Sequence, residues 1–154
     1  MDRQQAVGWL HRRAGLGLHP DDLEAEVERD SDDSLDAFLA PPVTPRDIWA
    51  DSDLDPENNG RATAVRAWLG ALVASDRSFH DRRTWMLHGW LVSSMDKVRY
   101  PEAMVEQIRL FEKSGNVDFA DLLRDLTVNR AMLVYLDGWT STAQAPNENY
   151  GREL

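Results

Sequence analysis

The sequence contains no cysteine. Disulfides, thiolate nucleophiles, iron–sulfur clusters and cysteine zinc sites are therefore excluded together. Long apolar runs are also missing. The longest clear one, residues 67–74, holds Gly70 and falls well short of the about 20 residues a membrane span needs. No apolar stretch of about 7–15 residues follows the N-terminus, so no signal peptide is read and the location expected is cytoplasmic. Arg12-Arg13 does not open a twin-arginine signal, because Pro20, Asp21 and Asp22 follow closely. Lysine is scarce at two residues, and no basic run exists. With a net charge of −10, the chain lacks the positive charge that nucleic acid and anionic membranes reward. There is no Gly-x-Ser-x-Gly, no His-Glu-x-x-His and no phosphate-binding Gly-x-x-x-x-Gly-Lys. Gly15-x-Gly17 follows a helix rather than a strand, so it is no dinucleotide loop.

The charge that is present is unevenly placed. Residues 1–60 carry 15 acidic and 5 basic side chains, and residues 61–154 carry 12 of each. Strand signals are absent and helical spacing runs almost throughout. Val7, Leu10 and Ala14 repeat at helical intervals and Gly15-Leu16-Gly17 stops them. Pro20 opens a short acidic helix over about 20–29, with Leu23 and Val27 inward. Asp32 or Asp33 is read as the cap of a third, carrying Leu35, Phe38 and Leu39. Pro41-Pro42 ends it. Residues 41–60 form an acidic, proline-rich loop that only Ile48, Trp49 and Leu54 can anchor.

Core helices are expected from residue 61 onward. Val65, Trp68, Leu69, Leu72 and Val73 make an i, i+3, i+4, i+7, i+8 stripe. Ser78 is read as the cap of the next helix, about 79–93, whose apolar residues run nearly all round, placing it in the centre. Residues 93–100 read as a polar link. Pro101 starts a helix with Met104, Ile108 and Phe111 inward, closed by Gly115. Phe119, Leu122, Leu123 and Leu126 mark another, and residues 131–136 a short one. After a loop at 140–145, Pro146 starts a last helix whose Tyr150 and Leu154 begin an apolar face at the very end of the chain.

Several strings carry a resemblance. Trp9-Leu10-His11-Arg12-Arg13-Ala14-Gly15-Leu16-Gly17, followed by Pro20 and a helix, resembles the opening of the bacterial family called domain of unknown function 1800. His88, Ser94, Asp96-Lys97-Val98, Pro101 and the stretch from Gln107 to Leu110 are similar to its middle. Ala131-Met132-Leu133-Val134-Tyr135-Leu136-Asp137 and Ala145-Pro146-Asn147-Glu148-Asn149-Tyr150-Gly151-Arg152-Glu153-Leu154 are similar to its most recognisable strings. The resemblance covers nearly the whole chain. It implies an N-terminal portion of a longer domain, incomplete at its C-terminus, because family members continue past the last string with further helices. It names no activity, substrate or cofactor. Three positions depart from the pattern. Trp90 stands where the family tends to have a second histidine after His88, Arg130 stands where proline is usual, and Gly151 replaces what is commonly alanine.

The candidate site residues follow from the polar positions. His88 shares a face with Trp85, Leu91 and Val92, and is either a hydrogen-bonded core histidine or a ligand or acid–base group. His80 lies two turns away, about 12 Å along a straight axis, so the two cannot share one ion. Glu148 and Arg152 are i, i+4 in the favourable order for an ion pair. Asn149 and Glu153 form a second such line, and Asn147 can cap the helix. A buried polar cluster of His88 with Asn147, Glu148, Asn149, Arg152 and Glu153 is one expectation, and caps with a surface pair the other. Asp96 and Lys97 either cap and snorkel or join that cluster. If a metal binds there, carboxylate and amide oxygens select a hard divalent ion; no metal or cofactor is assigned.

The expected architecture is all-α, an irregular bundle of about seven helices. It comprises short acidic helices over 1–40, the acidic loop over 41–60, and core helices over 61–154, as a single helical domain or a fragment of a larger one. The function read is a helical structural or binding module, with a protein partner or the missing C-terminal part of the same domain as its counterpart. The alternative is a fragment of an enzyme with a polar or metal-dependent site around His88 and residues 147–153.

Overall fold

A computed structural model describes residues 1–41 and 47–153. Among them are ten α-helices and no strand: α1 Arg3–Ala14, α2 Pro20–Glu28, α3 Ser31–Leu39, α4 Gly60–Val73, α5 Ser78–Trp90, α6 Met95–Val98, α7 Pro101–Lys113, α8 Phe119–Thr127, α9 Arg130–Tyr135 and α10 Glu148–Glu153. Seven are long and α6, α9 and α10 are short, which agrees with an all-α bundle of about seven principal helices. Pro42 and Leu154, to which the sequence assigned a helix stop and a terminal apolar face, lie outside the described residues.

Local chemistry sets the helix ends. Asp2 and Gln5 form a reciprocal capping box at α1, with the Gln5 amide donating to Asp2 Oδ1 at 2.8 Å. Pro20 and Pro101 occupy first-turn positions, where their missing N–H costs nothing. Asp118 and Asn129 cap α8 and α9. The cap of α3 is Asp30, which accepts from the Asp32 amide, rather than Asp32 or Asp33. Ser78 does not cap α5. Its hydroxyl accepts from the Leu16 amide and donates to the Gly17 carbonyl, pinning the turn after α1 onto α5. The link over 93–100 contains a helix of its own, α6, capped by Ser94 through the Asp96 amide.

The centre of the fold is α7. It packs against α4, α5, α6, α8 and α9, and Ala103, Val105, Gln107, Ile108 and Phe111 are all buried, Phe111 completely. This is not the helix that the apolar count placed there. On α5 the inward positions are His80, Asp81, Thr84 and Leu87, while Trp85, Met86 and Trp90 are exposed. Its inner face is polar because Arg77, Asp81 and Glu112 close an ion-pair network between α5 and α7, at 3.3 and 3.1 Å.

The stripe on α4 is split, with Trp68 and Leu72 half-buried and Trp68 packed against the core. Val65, Leu69 and Val73 are exposed, and the buried positions are Gly60 and Ala64. Small residues face inward because the loop approaches closely there. Trp49 is 3 % exposed, and its indole N–H donates to the Ala64 carbonyl at 3.1 Å. Arg109 clamps both Asp47 oxygens at 2.7 Å. Ile48 and Leu54 pack beside Trp49, so the three expected anchors are the ones used, and the core begins before residue 61. At Gly60 an added Cβ would fall on the Leu54 carbonyl group, which is backbone and cannot swing aside. Gly60→Ala should therefore destabilise the fold by about 1–3 kcal/mol or more, read as a lower urea midpoint.

The front helices form a separate layer over α5. Arg3 holds the link between α2 and α3, donating to Ser31 Oγ at 2.8 Å and to the Arg29 carbonyl at 2.7 Å. Four rings then run as a row from α1 through α3 to α5. His11 meets Phe38 at 4.8 Å, Phe38 meets Phe79 at 5.5 Å, and Phe79 meets His80 at 5.2 Å.

Candidate functional site

His88 sits on α5 beside Trp68 of α4, edge-on at 5.1 Å, and Trp68 in turn lies 5.3 Å from Trp85. It lines a cavity of about 200 Å³ with Trp49, Arg61, Trp68, Ser93 and Met104. The His88 Nδ1 atom is buried and has no hydrogen-bond partner. Burial lowers its pKa below the ordinary 6.5, because the charged imidazolium loses its water. Burial therefore favours the neutral imidazole at the wall of a cavity that also carries Arg61, Ser93 and Ser94. Behind that wall, the Ser93 hydroxyl donates to Oε1 of the fully buried Gln107, whose Nε2 has no partner.

The other candidate residues lie elsewhere. Asp96 is exposed and pairs with Arg61 at 2.6 Å, at one edge of the cavity. Lys97 pairs with Asp137 at 2.6 Å and lies over the Tyr135 ring at 5.9 Å. Asn147 meets the same turn. Its Nδ2 donates to the Leu136 and Asp137 carbonyls at 3.1 and 2.9 Å, and its Oδ1 accepts from the Tyr150 amide at 3.2 Å. Lys97 and Asn147 are therefore brought together through Asp137. The left-handed backbone of Asp137, φ 57°, and the close seat of Tyr150 against Gly138 complete this junction. A Cβ at Gly138 would lie 2.6 Å from the Tyr150 ring.

The last helix starts at Glu148, not at Pro146. Glu148 and Arg152 form an exposed i, i+4 pair at 3.4 Å. Asn149 and Glu153 are exposed too. The structure places these four on the outside of α10 and not among the residues lining the His88 cavity. Their polar line is solvated rather than buried, because α10 touches the body through Tyr150 and Asn147. Among the described residues, no three His, Asp or Glu side chains form a group able to hold a metal ion.

A second and larger recess was not foreseen. A cleft of about 1220 Å³ opens between the front helices and the start of α5, lined by His11, Phe38 and His80 among others. His11 is 8 % exposed and neither ring nitrogen has a partner. His80 is tied through Nε2 to the Ala40 carbonyl at 2.7 Å. Burial lowers both pKa values, partly opposed at His11 by the charge of Glu26. The i, i+4 spacing of Val7 and His11, the two buried residues of α1, was the available signal for His11. Its partners on α3 and α5 lie too far along the chain for any local pattern to reveal.

Fold and cavities define an all-α chain with a small cavity beside His88 and a larger cleft beside His11. The chain belongs to the family described as "Protein of unknown function (DUF1800)", whose model matches residues 9–154. No curated protein matches it, and no solved structure does. Among the described residues no helix is long and apolar enough to cross a membrane.

Proposed function

We propose that this chain is a helical binding module whose working surface is the outer face of α4 and α5, and that the occupant is an acidic amphipathic helix of a protein partner. The observation that carries this reading is the set of large apolar side chains left in solvent there. Met86 is 52 % exposed, Trp90 65 % and Val73 91 %, with Trp85, Val65 and Leu69 between 39 and 45 %. Large apolar side chains left exposed in this way mark interaction sites, and Trp, Met and Arg are the types enriched in them. Positive charge predominates on the two helices. α4 holds no acidic residue, the single acid of α5, Asp81, is buried, and Arg66 and Arg82 are exposed, while Arg61 is paired with Asp96 at 2.6 Å. A helix with apolar anchors at i, i+3, i+4 and i+7 and carboxylates on its flanks complements such a face.

Met86→Glu combined with Trp90→Glu tests it. Both positions are exposed, so Met86→Glu should move stability by no more than about 0.5 kcal/mol and Trp90→Glu, which loses the stack on Phe119, by less than about 1.5 kcal/mol. The anionic dye anilinonaphthalene sulfonate, which needs an apolar and basic surface, should bind the unmodified chain and lose most of its fluorescence on the variant. Equal fluorescence on both would count against the face.

A second reading, a fragment of an enzyme with a polar or metal-dependent site around His88 and residues 147–153, has one observation in its favour, the partnerless buried Nδ1 of His88 in its cavity. Calorimetric titration with Mg²⁺, Mn²⁺, Ca²⁺ and Zn²⁺ separates the readings. Saturable heat that His88→Phe removes supports the second, and its absence favours the first.

A further inference from the structure

The front cleft is built by the string that opens the chain's family pattern, since His11, Leu16 and Gly17 all line it; it meets the α4–α5 face at Val73 and shares no lining residue with the His88 cavity. Its chemistry is specific. The apolar part of the wall comes from Leu16, Leu18, Phe38 and Leu72. The charged part is weighted toward carboxylate, with Asp22, Glu26 and Asp76 against Arg29 and Arg77. Both arginines are already engaged. Arg29 pairs with Glu26 at 3.3 Å, and Arg77 pairs with Asp81 and Glu112. No unpaired cation therefore remains among the described lining residues to receive an anion. Within this lining His11 is more than nine-tenths buried and both of its ring nitrogens lack a partner. A buried polar group without a hydrogen bond is rare, and a bound ligand is one of the explanations it calls for.

We propose that the cleft binds a small organic cation, an ammonium group carried on an apolar body, with the ammonium N–H supplying a partner to the acceptor nitrogen of His11 and Asp22 supplying the counter-charge, since Glu26 is already paired with Arg29. A neutral imidazole accepts a hydrogen bond at its unprotonated nitrogen. An ammonium offers three donors and a positive charge, and an acidic cleft with apolar walls raises its local concentration. An anion of the same shape would meet the carboxylates, and a neutral alcohol would gain no charge term.

The test uses the whole chain at about pH 7.5, where the imidazole is neutral, and three probes of one shape: phenethylamine, phenethyl alcohol and phenylacetate. Binding is followed through the His11 ring nitrogens by long-range nitrogen–proton NMR. Phenethylamine should shift the His11 signals saturably and bind at least about tenfold more tightly than either analogue, a ratio worth about 1.4 kcal/mol. His11→Leu should weaken it about tenfold, and Asp22→Asn, on an exposed side chain that leaves the fold intact, severalfold. Should His11→Leu fail to fold by circular dichroism, the native His11 signals and Asp22→Asn carry the test alone. The proposal is overturned if the alcohol or phenylacetate binds as tightly, if the His11 signals stay still, or if binding is undiminished in a folded His11→Leu chain.

Discussion

Phe111→Ala should lower stability by about 3–5 kcal/mol, a large share of the roughly 5–15 kcal/mol that holds an ordinary domain together. Phe111 is completely buried on α7 and belongs to the cluster that joins Trp49, Ala64, Leu87, Leu122, Leu126 and Met132. Removing its ring takes away transfer energy and leaves a space bounded by four other elements, which cannot all collapse into it. The measurement is urea denaturation followed by tryptophan fluorescence. Phe119→Ala is the control. Phe119 is 45 % exposed and stacked on the exposed Trp90 at 5.5 Å, so its loss should cost less than about 1.5 kcal/mol. Equal costs at the two positions would contradict the placement of α7 at the centre.

The second large effect concerns acid. His11, His80 and His88 are all held below their ordinary pKa of 6.5, first of all by burial. Around His11, the charge of Glu26 on α2 acts in the opposite direction. Around His80, Arg77 and Arg83 push the same way as burial, while the Ala40 carbonyl opposes it. The sign follows from which state takes up protons first. Above pH 6.5 the imidazoles are neutral in both states, and the folded chain has its full stability. As pH falls below 6.5 the unfolded chain binds protons that the folded one refuses, so stability declines until the folded pKa values are passed.

The decline should set in as pH falls through the ordinary imidazole range. Asp47, whose pKa lies below 3.8 chiefly because of its bond to Arg109, contributes only at lower pH. Urea midpoints across the pH range give the curve, and His11→Leu should flatten its upper part. A midpoint that is constant between neutral pH and 5 would show that these rings are not buried as neutral groups.

Much of the architecture is legible in the residues. Pro101 with Met104, Ile108 and Phe111 announces α7, because a fixed φ at the first turn and an i, i+4, i+7 apolar line leave few alternatives. Asn147 is legible as a cap for the same kind of local reason. The faces of α4 and α5 are not legible. Val65, Leu69 and Val73 obey helical spacing as well as any core stripe does. The fully buried residues are nevertheless Gly60 and Ala64, because Trp49 arrives from the loop and needs the room. On α5 the inward Asp81 pairs with Arg77, which also pairs with Glu112 on another helix. Lys97 and Asn147 meet at Asp137, and the polar line of α10 is exposed. The row from His11 to His80 depends on contacts between three helices, which no spacing within one of them encodes.

The claim that organises this account is that the α4–α5 face is occupied in the working protein. Its most direct measurement places a photo-reactive diazirine amino acid at Met86 in the protein within its native cells, with the same residue at the exposed Glu24 of α2 as control. The cross-linked peptide is then sequenced by mass spectrometry. One dominant peptide of a second polypeptide is expected at position 86, rich in Asp and Glu with apolar residues at helical spacing. It should be weakened by salt and lost when Trp90→Glu is added. No cross-link at 86 beyond that at 24, a peptide from further along the same polypeptide, or a peptide without acidic amphipathic character would contradict it.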